Sequence, residues 1–324
     1  MRYSCALVAE ASVYARHGLK ALMSCGIEVP YVWASQPNLY KFDNRERIKL
    51  LLGLDSRRLK AAQIAAHMGV NVLKADRKTL PAVFAESESI DLIVVFGSEI
   101  IFPQSFIDTC PVPVVNFHPA LLPHYRGPRP LHALVLNGDA DRYGGFTAHI
   151  LTGEIDAGPI IKQIPLALSD YPDVICWEEA ILGSSEGLIR EGVIPYLEGS
   201  LSPSYQDEDE ASYFASSQVP DAITHSMSFR EVENFLQKAP QIYANTRLRY
   251  ADTLGRTKTV RLMGTARHLG GPTQAKPKVT RSYIEMDLKD ARVRLSFSHW
   301  SHRMRIKLRR HFARLSRRLR PVDP

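Results

Sequence analysis

The chain has 324 residues, 45% apolar, 23% charged and 9% aromatic, a balance that supports a packed core and excludes disordered, collagen-like and coiled-coil classes. No apolar run approaches the ~18–20 residues of a membrane span, and the first 25 residues lack a signal-peptide pattern, so a cytoplasmic protein is expected. The net charge of +7 comes from residues 301–324, where nine Arg and Lys stand against Asp323 and leave the other 300 residues at −1; the basic character belongs to a tail and not to a polyanion-binding body.

In chain order, residues 4–9 read as a buried strand, 13–25 as a helix stopped by Gly26, and 30–34 as a second strand. Helical spacing follows at 45–52, 57–67 and 79–86, with a brief strand at 71–74. The apolar runs 91–96 and 112–117 are continuous and lack polar alternation, as strands covered on both faces do. Strands then fit 146–151 and 159–168 around a turn at 153–158, and one long helix fits 174–197. Strands alternating with helices predict an open, mostly parallel, Rossmann-like α/β sheet over residues 1–200, with ligands beyond the carboxyl ends of its strands.

Residues 201–221, rich in Ser, Pro, Asp and Glu, read as an exposed linker. A helix at 229–237 and short strands at 246–250, 257–263, 282–288 and 292–297 predict a smaller, mostly β C-terminal domain over 222–300. In the tail, 301–324, Met304, Leu308, Phe312, Leu315 and Leu319 recur at helical spacing among arginines. A basic amphipathic helix of that kind suits an anionic membrane surface, RNA, a partner protein, or plain solvation. The four cysteines form no CxxC pair, so neither a disulfide framework nor a zinc cluster is encoded.

The densest chemistry lies in Asn116-Phe117-His118-Pro119-Ala120-Leu121-Leu122-Pro123-His124-Tyr125-Arg126-Gly127. Asn116 and His118 are two apart, so on a strand an amide and an imidazole face one spot, and the prolines and Gly127 then fix a rigid loop. Asp156 sits in the Gly-flanked turn 153–158, and spacing alone does not bring it to the other two. Together the three would supply acyl transfer to an amine with an oxyanion donor, a base and a carboxylate that orients the imidazolium. The competing reading gives them structural roles as a loop cap, a satisfied buried histidine and an Asx-turn residue. His118, His124, His132 and His149 lack the spacing of a metal site, and no glycine fingerprint for NAD follows the first strand. Arg126 and Arg129 suit loop anchoring or an anionic group.

The string from Asn116 to Gly127, followed by Pro128 to Asp139, Gly145-Phe146-Thr147 and Ile155-Asp156-Ala157-Gly158-Pro159-Ile160-Ile161, resembles the signature of formyltransferases that use 10-formyltetrahydrofolate. The resemblance spans residues 1–200. It implies Asn116, His118 and Asp156 as catalytic residues, and a folate pocket lined by Gly97, Ser98, Glu99, Ile100, Ile101, Leu122, Thr147, Gly153 and Ile155. It implies no metal, and a homodimer is an open expectation. The implied reaction is direct attack of an uncharged amine on the formyl carbon. Members that formylate methionyl-tRNA are similar to one another in having Gly or Ala with Ser after the His, Ala-Ala-Pro after the Arg-Gly, and a basic Gly-rich insertion after the second strand. Here those places read Pro119-Ala120 and Pro128-Arg129-Pro130, and residues 36–47 contain no such insertion. The expected acceptor is therefore a small-molecule amine, first an amino-sugar nucleotide and second a hydroxyornithine-type amine, with methionyl-tRNA as the alternative.

Overall fold

The computed structural model describes residues 3–296 except 55, 88, 219–221, 243–245, 252–256, 263–265 and 281–282. The predicted tail helix lies outside the described residues. The chain divides into two compact units between Val219 and Pro220.

The first unit is built on a seven-stranded sheet of order β3-β2-β1-β4-β5-β6-β7. The strands are β1 (Ser4–Val8), β2 (Glu28–Ala34), β3 (Asn71–Lys74), β4 (Leu92–Val95), β5 (Val114–His118), β6 (Gly145–Ile150) and β7 (Ile160–Pro165). β1 to β5 run parallel, and β6 and β7 are antiparallel additions at the β5 edge. The order reverses between β1 and β4, the place where open α/β sheets form a ligand crevice.

Helices α1 (Val13–Ser24), α2 (Asn44–Leu51), α3 (Ser56–Met68), α4 (Leu80–Glu86) and α5 (Gln104–Thr109) form the connections among the parallel strands. α1 starts on Ser12, whose hydroxyl accepts from the Ala15 N–H. It packs over Leu7 and Phe96, so closely that a Cβ at Gly18 would meet the Phe96 ring at 3.3 Å. Period-two alternation sends Phe117 and Phe146 to this same side, where they and Phe96 have centroids 5.0–5.7 Å apart. The opposite side buries Ala6, Val8, Trp33, Ile93 and Val95 with Leu80, Val83 and Phe106. Asn116 and His118 belong to that second side, beyond the end of its apolar cluster.

The stretch 174–197, expected as one helix, is broken into α8 (Val174–Gly183), a turn Ser185–Leu188, a π turn Ile189–Val193 and a last turn Ile194–Leu197. Pro195 has no N–H to give to the preceding turn, and Gly192 lets the run close on β7, where a Cβ would fall 2.6 Å from Lys162 Cβ. Two helices between β5 and β6, α6 (Pro130–Asn137) and α7 (Ala140–Tyr143), had no counterpart among the predicted elements.

The linker expected at 201–221 is corrected as well. Ser204 bridges Ile160 on β7, and Tyr213 bridges Arg126. This strap, 204–214, lies on the first unit because its backbone groups find partners there: Ser212 N–H donates to Pro123 O, Arg126 N–H to Ser212 O, and Phe214 N–H to Arg126 O.

In the second unit, a helix (Phe229–Ile242) precedes a hairpin of β8 (Thr246–Ala251) and β9 (Thr257–Leu262). An antiparallel sheet follows in the order β10-β13-β12-β11, made of Ala266–Gly270, Arg292–Ser296, Tyr283–Asp287 and Lys278–Val279. Alternation buries Ile284, Met286, Val293 and Leu295 on one face. No described helix is long and apolar enough to cross a membrane.

Candidate active site

The antiparallel register pairs Asn116 with His149 and His118 with Thr147, and Thr147 with Gln163 on β7. One face of β5–β6–β7 therefore carries a polar block while the reverse face carries Phe117 and Phe146. The block occurs at the carboxyl end of β5, where the apolar helices no longer cover it.

Asp156 reaches this block from the turn after β6. Its backbone is left-handed, φ 55°, which costs a non-glycine residue of order 1 kcal/mol and requires support from its surroundings. One carboxylate oxygen, Oδ2, accepts the Gly127 N–H at 2.8 Å and lies 3.5 Å from His118 Nδ1. The other, Oδ1, accepts from Asn116 Nδ2 at 3.2 Å and lies 3.7 Å from His149 Nε2. The three residues singled out in the sequence thus converge.

Hydrogen bonding fixes the imidazoles. His118 Nε2 is 2.9 Å from the Tyr125 carbonyl, which only accepts, so Nε2 carries a proton and Nδ1 is the nitrogen turned to Asp156. His149 Nδ1 is 3.0 Å from the Ile150 carbonyl and so carries the proton, leaving Nε2 to accept from Asn116 Nδ2 at 3.0 Å. Both Asn116 amide protons therefore have partners, and its carboxamide is oriented from two sides.

Burial pushes the His118 imidazole below its ordinary value; Asp156 acts in the opposite sense, and His149 adds to the lowering. Burial alone would raise Asp156, but His118, His149 and the Gly127 N–H outweigh it and hold the carboxyl below the usual range. At neutral pH the pair is an imidazole with a free Nδ1 beside a carboxylate. That is a base whose conjugate acid has a counter-ion in place.

The loop is held from behind. Thr147 Oγ1 donates to Ala120 O at 2.6 Å and accepts from Leu122 N, while Gln163 Nε2 donates to Leu122 O and Thr147 Oγ1. Thr147 is fully buried and Leu122 nearly so. Both are expected in the folate pocket, and their polar groups are engaged in supporting the loop. Ile100, expected there too, is buried in the apolar cluster of the β4 side.

The rest of the expected pocket faces outward. After β4, Gly97 has φ +67° with a Cβ position 2.7 Å from the Tyr14 ring, and Ser98 Oγ accepts the Ile100 N–H. Glu99 is exposed, as are Ile101 at 64% and Ile155 at 54%. The turn after β6 meets the start of α5: a Cβ at Gly153 would overlap Gln104 Oε1 at 1.7 Å. Two exposed isoleucines on these loops present apolar surface that folding does not require.

Two residues were missed. His149 was considered only as a metal ligand, although Thr147 and His149 are the polar alternates of an otherwise apolar strand. Gln206 lay hidden in the acidic stretch; its amide binds the Asp156 and Gly158 carbonyls. Among the described residues no group of three or more His, Cys, Asp and Glu is arranged to hold a metal ion.

The fold, a mostly parallel sheet with a polar triad at its carboxyl end, is the formyltransferase fold. A sugar N-formyltransferase from Shewanella sp FDAARGOS_354 has a TM-score of 0.55 at 16% identity, over 81% of this chain and 98% of that one. An N-formyltransferase from Helicobacter canadensis, in complex with folinic acid and dTDP-3-aminofucose, has a TM-score of 0.51 at 15% identity, over 92% and 100%. In sequence, a family model described as "Formyl transferase" matches residues 56–170. Methionyl-tRNA formyltransferase of Borrelia recurrentis (strain A1) is 35% identical over 123 residues, 38% of this chain and 39% of that protein. That of Roseiflexus sp. (strain RS-1) is 32% identical over 155 residues, 47% and 46%. The chain is matched over less than half the length of these relatives. Residues 56–170 thus match the formyl transferase family model, and the matched segment contains Asn116, His118 and Asp156.

Proposed function

We propose that the protein transfers a formyl group from 10-formyltetrahydrofolate to the amine of a small molecule. The observation that carries this reading is the convergence of Asn116, His118 and Asp156 with Nδ1 of a neutral imidazole turned to the carboxylate. The exposed Ile101 and Ile155 would offer apolar surface to a flat pteridine, and the co-substrate would supply the activated formyl group and a leaving amine. Gly97, Ser98, Glu99, Ile101, Gly153 and Ile155 remain the proposed folate-side residues.

The residues act as follows. As an uncharged amine adds to the formyl carbon, negative charge develops on the formyl oxygen, and Asn116 Nδ2 is the donor nearest the triad for it. One of its two protons exchanges its present acceptor for that oxygen. His118 Nδ1 takes the proton the amine must lose, and Asp156 stabilises the resulting imidazolium. Collapse returns a proton to the leaving nitrogen.

For the acceptor, an amino-sugar nucleotide stands first and a hydroxyornithine-type amine second. Asp207, Glu208, Asp209 and Glu210 lie on the strap that packs against the loop of Tyr125 and Arg126, so an RNA backbone approaching there would meet three carboxylates besides the Glu208 paired with Arg126. The alternative, methionyl-tRNA, is favoured by the curated relatives and by the Arg-rich tail, which is proposed to contact RNA or an anionic membrane surface. The test is tetrahydrofolate release with each acceptor class. Turnover with small amines supports the first reading, turnover with charged tRNA alone supports the second, and none with either removes the activity.

A further inference from the structure

Gln206 sits between the two halves of the site. Its Nε2 donates to the carbonyls of Asp156 and Gly158, each at 2.7 Å, and its Oε1 accepts from Arg126 Nε at 3.1 Å and Nη2 at 2.8 Å. The amide has two protons and two acceptor sites, and all four are used. Arg126 is buried, and its outer edge forms a bidentate pair with Glu208 at 2.7 and 2.9 Å. The guanidinium accepts nothing, so it forces Oε1 toward itself and Nε2 toward the turn; the amide has one orientation. Asp156 has the left-handed backbone described above, and its own carbonyl is one of the two that Gln206 grips.

We propose that Gln206 is a positioning residue: its two amide protons hold the Asp156–Gly158 turn, and so fix the Asp156 carboxylate against His118 and Asn116. The strap over residues 204–214 is then part of the site's framework. The inference rests on the proposed activity for its kinetic consequence but not for its structural one. Misplacing a catalytic group by about 1 Å can cost on the order of 10²-fold in rate.

Two substitutions separate positioning from simple strap anchorage. Gln206→Glu keeps the size of the side chain and strengthens the link to Arg126, but turns an anion toward the two carbonyls. Gln206→Ala removes both links. The measurements are kcat and KM for both substrates, and the titration of His118 followed by NMR in the free protein, where Asp156 and His149 are the titratable groups that face it. Both variants should lose about 10- to 100-fold in kcat with KM changed less. In Gln206→Ala the His118 titration should move to lower pH, because a displaced Asp156 supports the imidazolium less; a general loss of stability would not shift it. Wild-type kcat in Gln206→Glu, or an unmoved His118 titration in Gln206→Ala, overturns the inference. If the wild-type protein shows no turnover, the activity reading fails, and the NMR titration alone still decides whether Gln206 holds Asp156.

Discussion

Asn116 and His149 face each other across the β5–β6 ladder, with Nδ2 of the amide donating to Nε2 of the imidazole at 3.0 Å. Because the Ile150 carbonyl holds the His149 proton on Nδ1, the amide nitrogen of Asn116 points at the triad and its oxygen points away. A donor of fixed direction offers a developing oxyanion a set place, with one existing hydrogen bond exchanged for it.

Removing that donor should act on the transition state. Asn116→Ala is expected to lower kcat by about 10²-fold or more with folate affinity retained. Steady-state kinetics beside a folate-binding isotherm check it, and an unchanged kcat removes Asn116 from the mechanism.

Asp156→Asn keeps the shape of the turn and deletes the charge. Asp156 is the group that supports protonated His118, so its loss should cut kcat by about 10²-fold and move the acidic limb of the pH–rate profile to lower pH. A limb that stays in place, or moves up, contradicts the pairing at 3.5 Å.

The wild-type profile carries a prediction of its own. His118 is held below its ordinary value by burial, so the acidic limb of kcat/KM should fall below the free-histidine value of about 6.5. The measurement is kcat/KM against pH at fixed ionic strength; a limb above 7 would mean that a raised group is titrating.

Stability should follow the same sign. Burial, with Arg129 second, lowers His132 to about 4, and burial lowers His118 as well. Both groups bind protons in the unfolded chain near pH 6.5 before they do in the native one. Their contribution is complete above that pH and is lost as pH falls, for His132 toward about 4. Urea unfolding across this window should show a declining free energy, and one that rises on acidification contradicts the assignment.

How much of this was legible depended on the range of the interaction. Alternation along β5 placed Asn116 and His118 on one face, because a two-residue period is local. His149 escaped because its partnership depends on an antiparallel register set across a separation of 33 positions that includes α6 and α7. Asp156 stood out as a carboxylate in a Gly-flanked turn, the family resemblance implied its role, and its convergence required the left-handed turn. The strap read as a linker because its composition is that of exposed chain; its hold comes from backbone bonds to 123–126 and from one buried arginine, which composition does not record. Leu122 and Thr147 kept their place in the motif but support the loop from behind.

Gly127→Ala tests the strap and the site together. At φ +113° a side chain is strained, and a Cβ there would lie 2.4 Å from the Phe214 carbonyl. The shift should cost about 1–3 kcal/mol, a fall in Tm of several degrees. It should also lower kcat, because the Gly127 N–H that holds Asp156 moves with it. Calorimetry and kinetics on the same sample decide; an unchanged Tm contradicts the packing of the strap.

The most direct test of the central claim is tetrahydrofolate release from 10-formyltetrahydrofolate with a pool of nucleotide-linked amino sugars and hydroxyornithine, beside charged methionyl-tRNA, with Asn116→Ala as control. The account predicts turnover with the small-molecule pool that the substitution reduces by about 10²-fold. Release that is equal in wild type and Asn116→Ala, or absent with every acceptor, would contradict it.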